Sequence, residues 1–272
     1  MSAECIPVTL LTGHLGSGKT TLLNAYLRAA TEPAAVIVNE YGDVGLDHLL
    51  VRETRENLML LENGCICCTV RGDLITALRD LAARRDAGEV PPFRRLVIET
   101  TGLADPAPVV HSLMNDLALV LRYRLDRVVT TVAAVPGCAT LDTFPEARKQ
   151  VAFADAVLVT KADLADEDDV AALQRELRLL NPGAPPQLAT RGSADAAMFE
   201  AGGFDPASRG GDVEAWLNAE AAEGGHGNHH HHGDDCPHCA AEAARHDDAI
   251  RSFCVVRDAP MPWAVAAAWL ER

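Results

Sequence analysis

Ile6-Pro7-Val8-Thr9-Leu10-Leu11-Thr12 runs straight into Gly13-His14-Leu15-Gly16-Ser17-Gly18-Lys19-Thr20, after which Leu22, Leu23, Tyr26 and Leu27 recur at helical spacing. The first stretch reads as a buried strand and the last as a helix, with a glycine-rich turn between them. The turn satisfies G-x4-G-K-[ST] in full, and it does so in the strand-loop-helix setting that the motif requires. Glycines let successive backbone N–H groups turn toward an anion, and the N-terminus of the following helix adds a favourable dipole. Lys19 is then expected to reach β- and γ-phosphates and the Thr20 hydroxyl to ligate Mg²⁺. Gly13, His14, Leu15, Gly16, Ser17, Gly18, Lys19, Thr20 and Thr21 form the expected phosphate-side set.

Further apolar runs follow at 35–38, 58–61, 96–98, 128–135 and 156–159, with helix-like segments between most of them, as at 74–83 and 170–180. Repeated strand-helix units predict an α/β fold: a mostly parallel P-loop NTPase sheet with helices on both faces. Aromatic residues make up only 4% of the chain while 48% is hydrophobic, so the core must be built from Ala, Val, Leu and Ile, as suits strands buried on both faces. Such sheets bind ligands beyond the carboxyl ends of their strands, which is where the remaining motifs fall.

Arg94-Arg95-Leu96-Val97-Ile98-Glu99-Thr100-Thr101-Gly102 is an apolar strand ending in an acid. Glu99 is placed to act near Mg²⁺, and Gly102 to offer an N–H to a γ-phosphate. Ala156 to Val159 leads into Thr160-Lys161-Ala162-Asp163. An Asp carboxylate accepts from both N1–H and N2–H₂ of guanine, a donor pair that adenine lacks, and a lysine stem can cover the face of the base. Thr160, Lys161 and Asp163 are therefore candidates for guanine recognition; Asp163 as the N-cap of the helix through 167–180 is an equally open reading.

Glu62-Asn63-Gly64-Cys65-Ile66-Cys67-Cys68 follows a predicted strand, and three thiolates at that spacing can share a tetrahedral Zn²⁺ completed by a carboxylate or imidazole. Asn39-Glu40-Tyr41-Gly42-Asp43-Val44-Gly45-Leu46-Asp47 follows the second strand. Glu40 or Asp43 there could face both Mg²⁺ or the attacking water and the thiolate metal, so that loss of a γ-phosphate would loosen the metal. Farther on lie His226, His229, His230, His231 and His232, then Cys236-Pro237-His238-Cys239. Imidazoles and thiolates in a flexible stretch can capture Zn²⁺, Ni²⁺ or Co²⁺ and pass them on by ligand exchange; a passive low-complexity linker is the alternative.

In this order, GHLGSGKT, NEYGDVGLD, ENGCICC, ETTGLADP and TKAD resemble the CobW family of P-loop metallochaperone GTPases, relatives of HypB and UreG. The resemblance is dense from Ile6 to Asp163, and C-x-C-C inside a P-loop domain is its most specific part. It implies GTP hydrolysis, metal at Cys65, Cys67 and Cys68 with Glu40 as an additional ligand, and a His-rich linker ahead of a C-terminal domain. The expected mechanism is in-line attack of water on the γ-phosphate, with Lys19 and the Thr20-bound Mg²⁺ stabilising charge and Glu99 or Glu40 orienting ions and water. Two stretches depart from the family pattern. Thr131-Val132-Ala133-Ala134 stands where the family commonly has V-[VT]-D-A, and Ile250 to Phe253 with Trp269-Leu270 match only the opening of the family's C-terminal domain.

The expected organisation is a GTPase domain over 1–218, a His/Cys-rich metal-binding linker over 219–248 and a partial C-terminal domain, a short βα segment, over 249–272. A net charge of −15 argues against nucleic acid as a partner, and no run approaches the length of a membrane span. The absence of a leader pattern before Thr12 and the clustering of cysteines point to a cytoplasmic setting with thiolate ligands rather than disulfides. The expected partners are GTP/GDP, a metal-receiving target protein and, as a candidate homodimer, a second copy. The expected ions are Mg²⁺ and Zn²⁺, with Co²⁺ or Ni²⁺ insertion, a metal buffer or sensor with structural nucleotide, and a small-molecule kinase as the competing readings.

Overall fold

The computed structural model describes residues 5–30, 32–38, 58–61, 71–189 and 199. These residues form a seven-stranded sheet: β1 Ile6–Gly13, β2 Ala34–Val38, β3 Leu58–Leu61, β4 Arg95–Glu99, β5 Tyr123–Ala133, β6 Ala156–Thr160 and β7 Gln187–Leu188. The strand order is β3-β2-β4-β1-β5-β6-β7 and every pairing is parallel, as the repeated strand-helix units require. The described helices are α1 Lys19–Ala29, α2 Arg71–Asp86, α3 Ala107–Asn115, α4 Leu117–Val120, α5 Gly137–Thr143, α6 Pro145–Phe153 and α7 Glu167–Leu180, with a 3₁₀ turn at Ala162–Leu164.

Alternation along each strand explains the two-sided burial. Ile6, Val8 and Leu10 of β1, Ala35 and Ile37 of β2, and Leu96 and Ile98 of β4 face α2 and α3. Leu11, Val36, Val97, Val129 and Leu158 point the other way, onto Leu22, Leu23 and Tyr26 of α1 and onto Phe199, whose ring stacks on Tyr26 at 4.2 Å. Val157 and Val159 of β6 pack against Leu141, Val151, Leu173 and Leu177 from α5, α6 and α7. Both faces of the sheet are therefore covered, so its strands read as continuous apolar runs.

Most strand ends lie within one residue of the sequence reading, and the larger differences are at the two ends of β5. β5 begins at Tyr123 rather than Val128 because Asp126, which interrupts the apolar pattern, is buried in ion pairs with Arg95 Nη1 at 3.0 Å and Arg124 Nη2 at 3.1 Å. It ends at Ala133 rather than Val135, since Ala134 to Pro136 turn the chain into α5. Among the described residues no helix is long and apolar enough to cross a membrane.

Candidate functional site

The carboxyl ends of β1, β4, β5 and β6 share one edge of the sheet, with Leu11 paired to Glu99, Gly13 to Thr131 and Ala133 to Thr160. The loop 13–18 crosses this edge on three glycines with positive φ: Gly13 at 140°, Gly16 at 69° and Gly18 at 93°. At Gly13 a Cβ would collide with the Thr131 carbonyl oxygen and would lie 2.5 Å from Thr131 Oγ1, so no other residue fits there. Gly18 is the N-cap of α1 and contributes no side chain, and the first turn of α1 carries no acid. The helix N-terminus therefore meets an anion without competition from a capping carboxylate.

Hydroxyl groups pin the loop from behind. Ser17 Oγ and Thr131 Oγ1 share a 2.6 Å hydrogen bond, and Thr160 Oγ1 donates to the Ser17 carbonyl at 2.6 Å. Lys161, the one described non-glycine residue with positive φ (56°), donates from Nζ to the Gly16 carbonyl at 2.7 Å. Thr100 Oγ1 donates to Thr12 Oγ1 at 2.9 Å, tying β4's exit to β1.

Lys19 is buried, and its ammonium donates to the carbonyls of Gly13 at 2.9 Å and His14 at 3.3 Å. Thr20 Oγ1 donates to Oε1 of the fully buried Glu99 at 2.7 Å. The phosphate-side hydroxyl and the acid at the end of β4 thus meet across 79 residues of sequence. Thr21, one residue on, is exposed on α1, and Leu15 is half-exposed at the tip of the loop. The His14 ring lies on Phe144 with centroids 4.4 Å apart, and its Nδ1 is buried without a hydrogen-bond partner. Burial pushes the His14 imidazole below its ordinary range, the Lys19 ammonium adds to that, and Glu146 opposes it.

Gly102 presses against the loop from the other side, where a Cβ would meet the backbone of Leu15, its Cα at 2.7 Å. Lys161 and Asp163 stand exposed just past β6. Asp163 lies within the 3₁₀ turn, and the N-cap of α7 is Asp166, so the capping reading of Asp163 does not hold. Glu40, Asp43, Cys65, Cys67, Cys68, His226, His229, His230, His231, His232, Cys236, His238 and Cys239 lie outside the described residues. Among the described residues there is no cluster of three or more His, Cys, Asp and Glu able to hold a metal, and Cys5 and Cys138 are free thiols.

Sequence reasoning missed several groups at this edge. The sequence marks Thr131 only through the departure from the family pattern at 131–134, yet it fastens Ser17. Gln150 of α6, 1% exposed, donates from Nε2 to the carbonyls of Gly102 at 3.2 Å and Ala104 at 2.9 Å. Lys149 pairs with Asp105 at 2.5 Å. The available signal was a glutamine within Gln150-Val151-Ala152-Phe153-Ala154, an otherwise apolar stretch where a polar residue needs a buried partner.

The family description CobW/HypB/UreG, nucleotide-binding domain, fits residues 7–187. The chain belongs to this family. Among curated relatives, the zinc chaperone YjiA of Escherichia coli is 41% identical over 201 residues, covering 73% of this chain and 62% of YjiA. Zinc-regulated GTPase metalloprotein activator 1 of Schizosaccharomyces pombe is 33% identical over 65% of this chain and 44% of its own. The Zn(II)-bound crystal structure of the E. coli YjiA GTPase superposes with a TM-score of 0.54 at 36% identity, over 72% of this chain and 61% of that one. The nickel complex of Helicobacter pylori HypB, at 20% identity and a TM-score of 0.50, shares the fold. This CobW-family chain thus spans less than two thirds of the length of these curated relatives.

Proposed function

We propose that this chain hydrolyses GTP and that the nucleotide cycle governs binding and hand-over of a transition metal, zinc foremost, to a target protein. The observation that carries the nucleotide half is the 2.7 Å bond between Thr20 Oγ1 and Glu99 Oε1 beside a helix N-terminus left uncapped. A hydroxyl and a carboxylate are hard oxygen donors of the kind Mg²⁺ takes, and Thr20 and Glu99 would hold it. When bound, Mg²⁺ neutralises charge building on the β- and γ-phosphate oxygens. Lys19 supplies a second positive charge by exchanging loop carbonyls for phosphate oxygens, while Gly102 N–H serves the γ-phosphate and Glu99 with Glu40 orients ions and water. Thr160 holds the loop, and the exposed Lys161 and Asp163 read the guanine.

The zinc half rests on the softness of Cys65, Cys67 and Cys68, with Glu40 completing the shell, and on the printed names of the relatives. β2 and β3 are in register with each other and β2 with β4, Ile37 pairing with Leu61 and Val38 with Glu99. Glu40 follows Val38 by two residues of sequence and Cys65 follows Leu61 by four, which supports the reading. His229, His230, His231, His232, Cys236, His238 and Cys239 gather metal for that site and release it by ligand exchange.

The test is steady-state turnover of GTP and ATP by the whole chain, in chelator and in stoichiometric Zn²⁺, beside Cys67→Ala and Asp163→Ala. GTP-selective turnover that responds to zinc only when Cys67 is present is the expected result. Asp163→Ala should weaken GTP by about tenfold or more and leave ATP unchanged, as loss of a charged hydrogen-bond acceptor predicts. Absence of turnover with either nucleotide removes the hydrolase; zinc-indifferent turnover removes the coupling; phosphoryl transfer to an acceptor other than water makes the chain a kinase.

A further inference from the structure

Gly102 is held from two directions. On one side its Cα faces the backbone of Leu15 so closely that a methyl group has no room. On the other, both amide hydrogens of Gln150 are engaged by the stretch 102–105, one by the Gly102 carbonyl at 3.2 Å and one by the Ala104 carbonyl at 2.9 Å. The neighbouring Lys149 adds an ion pair to Asp105, whose second oxygen accepts from Ala107 N at 2.9 Å at the start of α3. Two consecutive residues of α6 therefore grip three points of one loop.

α6 itself is fixed. The Gln150 carbonyl accepts from Thr130 Oγ1 of β5 at 2.7 Å. At its C-terminus the carbonyls of Val151, Ala152 and Ala154 accept from the buried Asn181 amide at 2.8, 3.3 and 2.9 Å. A glutamine at 1% exposure is costly to bury unless its donors are used, and here both are spent on a loop rather than on α6 or the sheet.

Resting on the GTPase reading above, we propose that Gln150 is a positioning residue for the γ-phosphate. By holding the carbonyls of Gly102 and Ala104 it fixes the peptide units that follow Gly102 and so anchors, from its C-terminal side, the residue whose N–H faces the γ-phosphate; it therefore serves the triphosphate and its hydrolysis but not the diphosphate. The Lys149–Asp105 pair, partly exposed, assists.

The discriminating variant is Gln150→Leu, which keeps the volume and removes both donors. Affinities of the whole chain for Mg²⁺·GDP and for a triphosphate analogue with a β–γ imido bridge are measured by titration, with turnover and thermal unfolding alongside. Gln150→Leu should leave GDP affinity within about twofold, while weakening the imido analogue and slowing turnover by about tenfold, the scale of one net hydrogen bond. Equal weakening of both nucleotides, or of neither, overturns the proposal, because a merely structural glutamine does not distinguish a γ-phosphate. Should Gln150→Leu fail to fold, Lys149→Ala takes its place, with the same selective loss at about two- to threefold as the supporting result and an unselective or absent loss as the refuting one. A wild-type chain that binds neither nucleotide defeats the GTPase reading itself, whereas wild-type binding with an unselective variant defeats only the role of Gln150.

Discussion

Replacing Gly102 with alanine isolates the contact between the two phosphate-side loops. Gly102 does not have the left-handed φ that would strain alanine, so the substitution tests space alone. The new methyl would sit 2.7 Å from Leu15 Cα and 2.7 Å from Leu15 Cδ2, with Leu15 N closer still. Carbon atoms rest about 3.5–4.0 Å apart, so the loops must separate by about 1 Å. Overpacking of this kind costs about 1–3 kcal/mol, which for a domain of this size lowers the melting temperature by about 3–10 °C. A shift of about 1 Å at reacting groups slows turnover by about a hundredfold. The loop 13–18 is pinned by Thr131, Thr160 and Lys161, so the stretch after Glu99 yields more, and GDP affinity falls by less than about tenfold. GTP turnover, GDP titration and thermal unfolding of Gly102→Ala measure all three. The double variant Gly102→Ala with Leu15→Ala decides the cause: of the three nearest atoms it removes Cδ2 and leaves the backbone N and Cα, so it should stay slow. Full activity in the single variant, or recovery in the double one, refutes the reasoning.

Asn181→Ala strips three carbonyls at the end of α6 of their donor, with an expected loss of about 2–3 kcal/mol and a fall of about 5–10 °C in the melting temperature followed by circular dichroism. His14 has a folded-state pKa below the 6.5 of its ordinary range, so between the two values the unfolded chain binds the extra proton. Its contribution is complete above the ordinary value and is lost as pH falls toward the folded one. His14→Phe keeps a ring on Phe144 and removes the titration, so its melting temperature should drop less than wild type between about pH 7.5 and pH 5.5; since the other histidines are common to both proteins, an equal drop rules His14 out.

The parallel sheet was legible because its strands are apolar on both faces and its loop motif has fixed spacing. β3 was placed residue for residue, and β1 ended within one residue of its expected terminus. What escaped has a common cause. The start of β5 was hidden because Asp126 is neutralised by Arg95, 31 residues away, and a linear pattern sees the charge but not its partner. The short helices α3, α5 and α6 were not resolved because Pro106, Pro108, Pro136 and Pro145 punctuate their first turns, where proline is tolerated but reads as a breaker. The motifs named the groups that face a ligand, whereas Thr131 and Gln150, which hold those groups in place, carry no local signature beyond being polar in an apolar setting.

That division between groups proposed to touch a nucleotide and groups that hold them suggests how the proposed hydrolysis would be transmitted. The loop 13–18 is anchored to β5 and to the end of β6 through Thr131, Thr160 and Lys161. The stretch after Glu99 is anchored instead to α6, through Gln150 and Lys149, and α6 is anchored in turn to Asn181 beyond α7. A change at Gly102 when the γ-phosphate leaves must therefore either break buried hydrogen bonds or move α6 with it. Glu99 is paired with Val38 of β2 on one flank and with Leu11 of β1 on the other, and Ile37 of β2 is paired in turn with Leu61 of β3. β4 lies between β2 and β1, so the acid that meets Thr20 is one strand away from the strand whose end precedes Glu40 in the sequence.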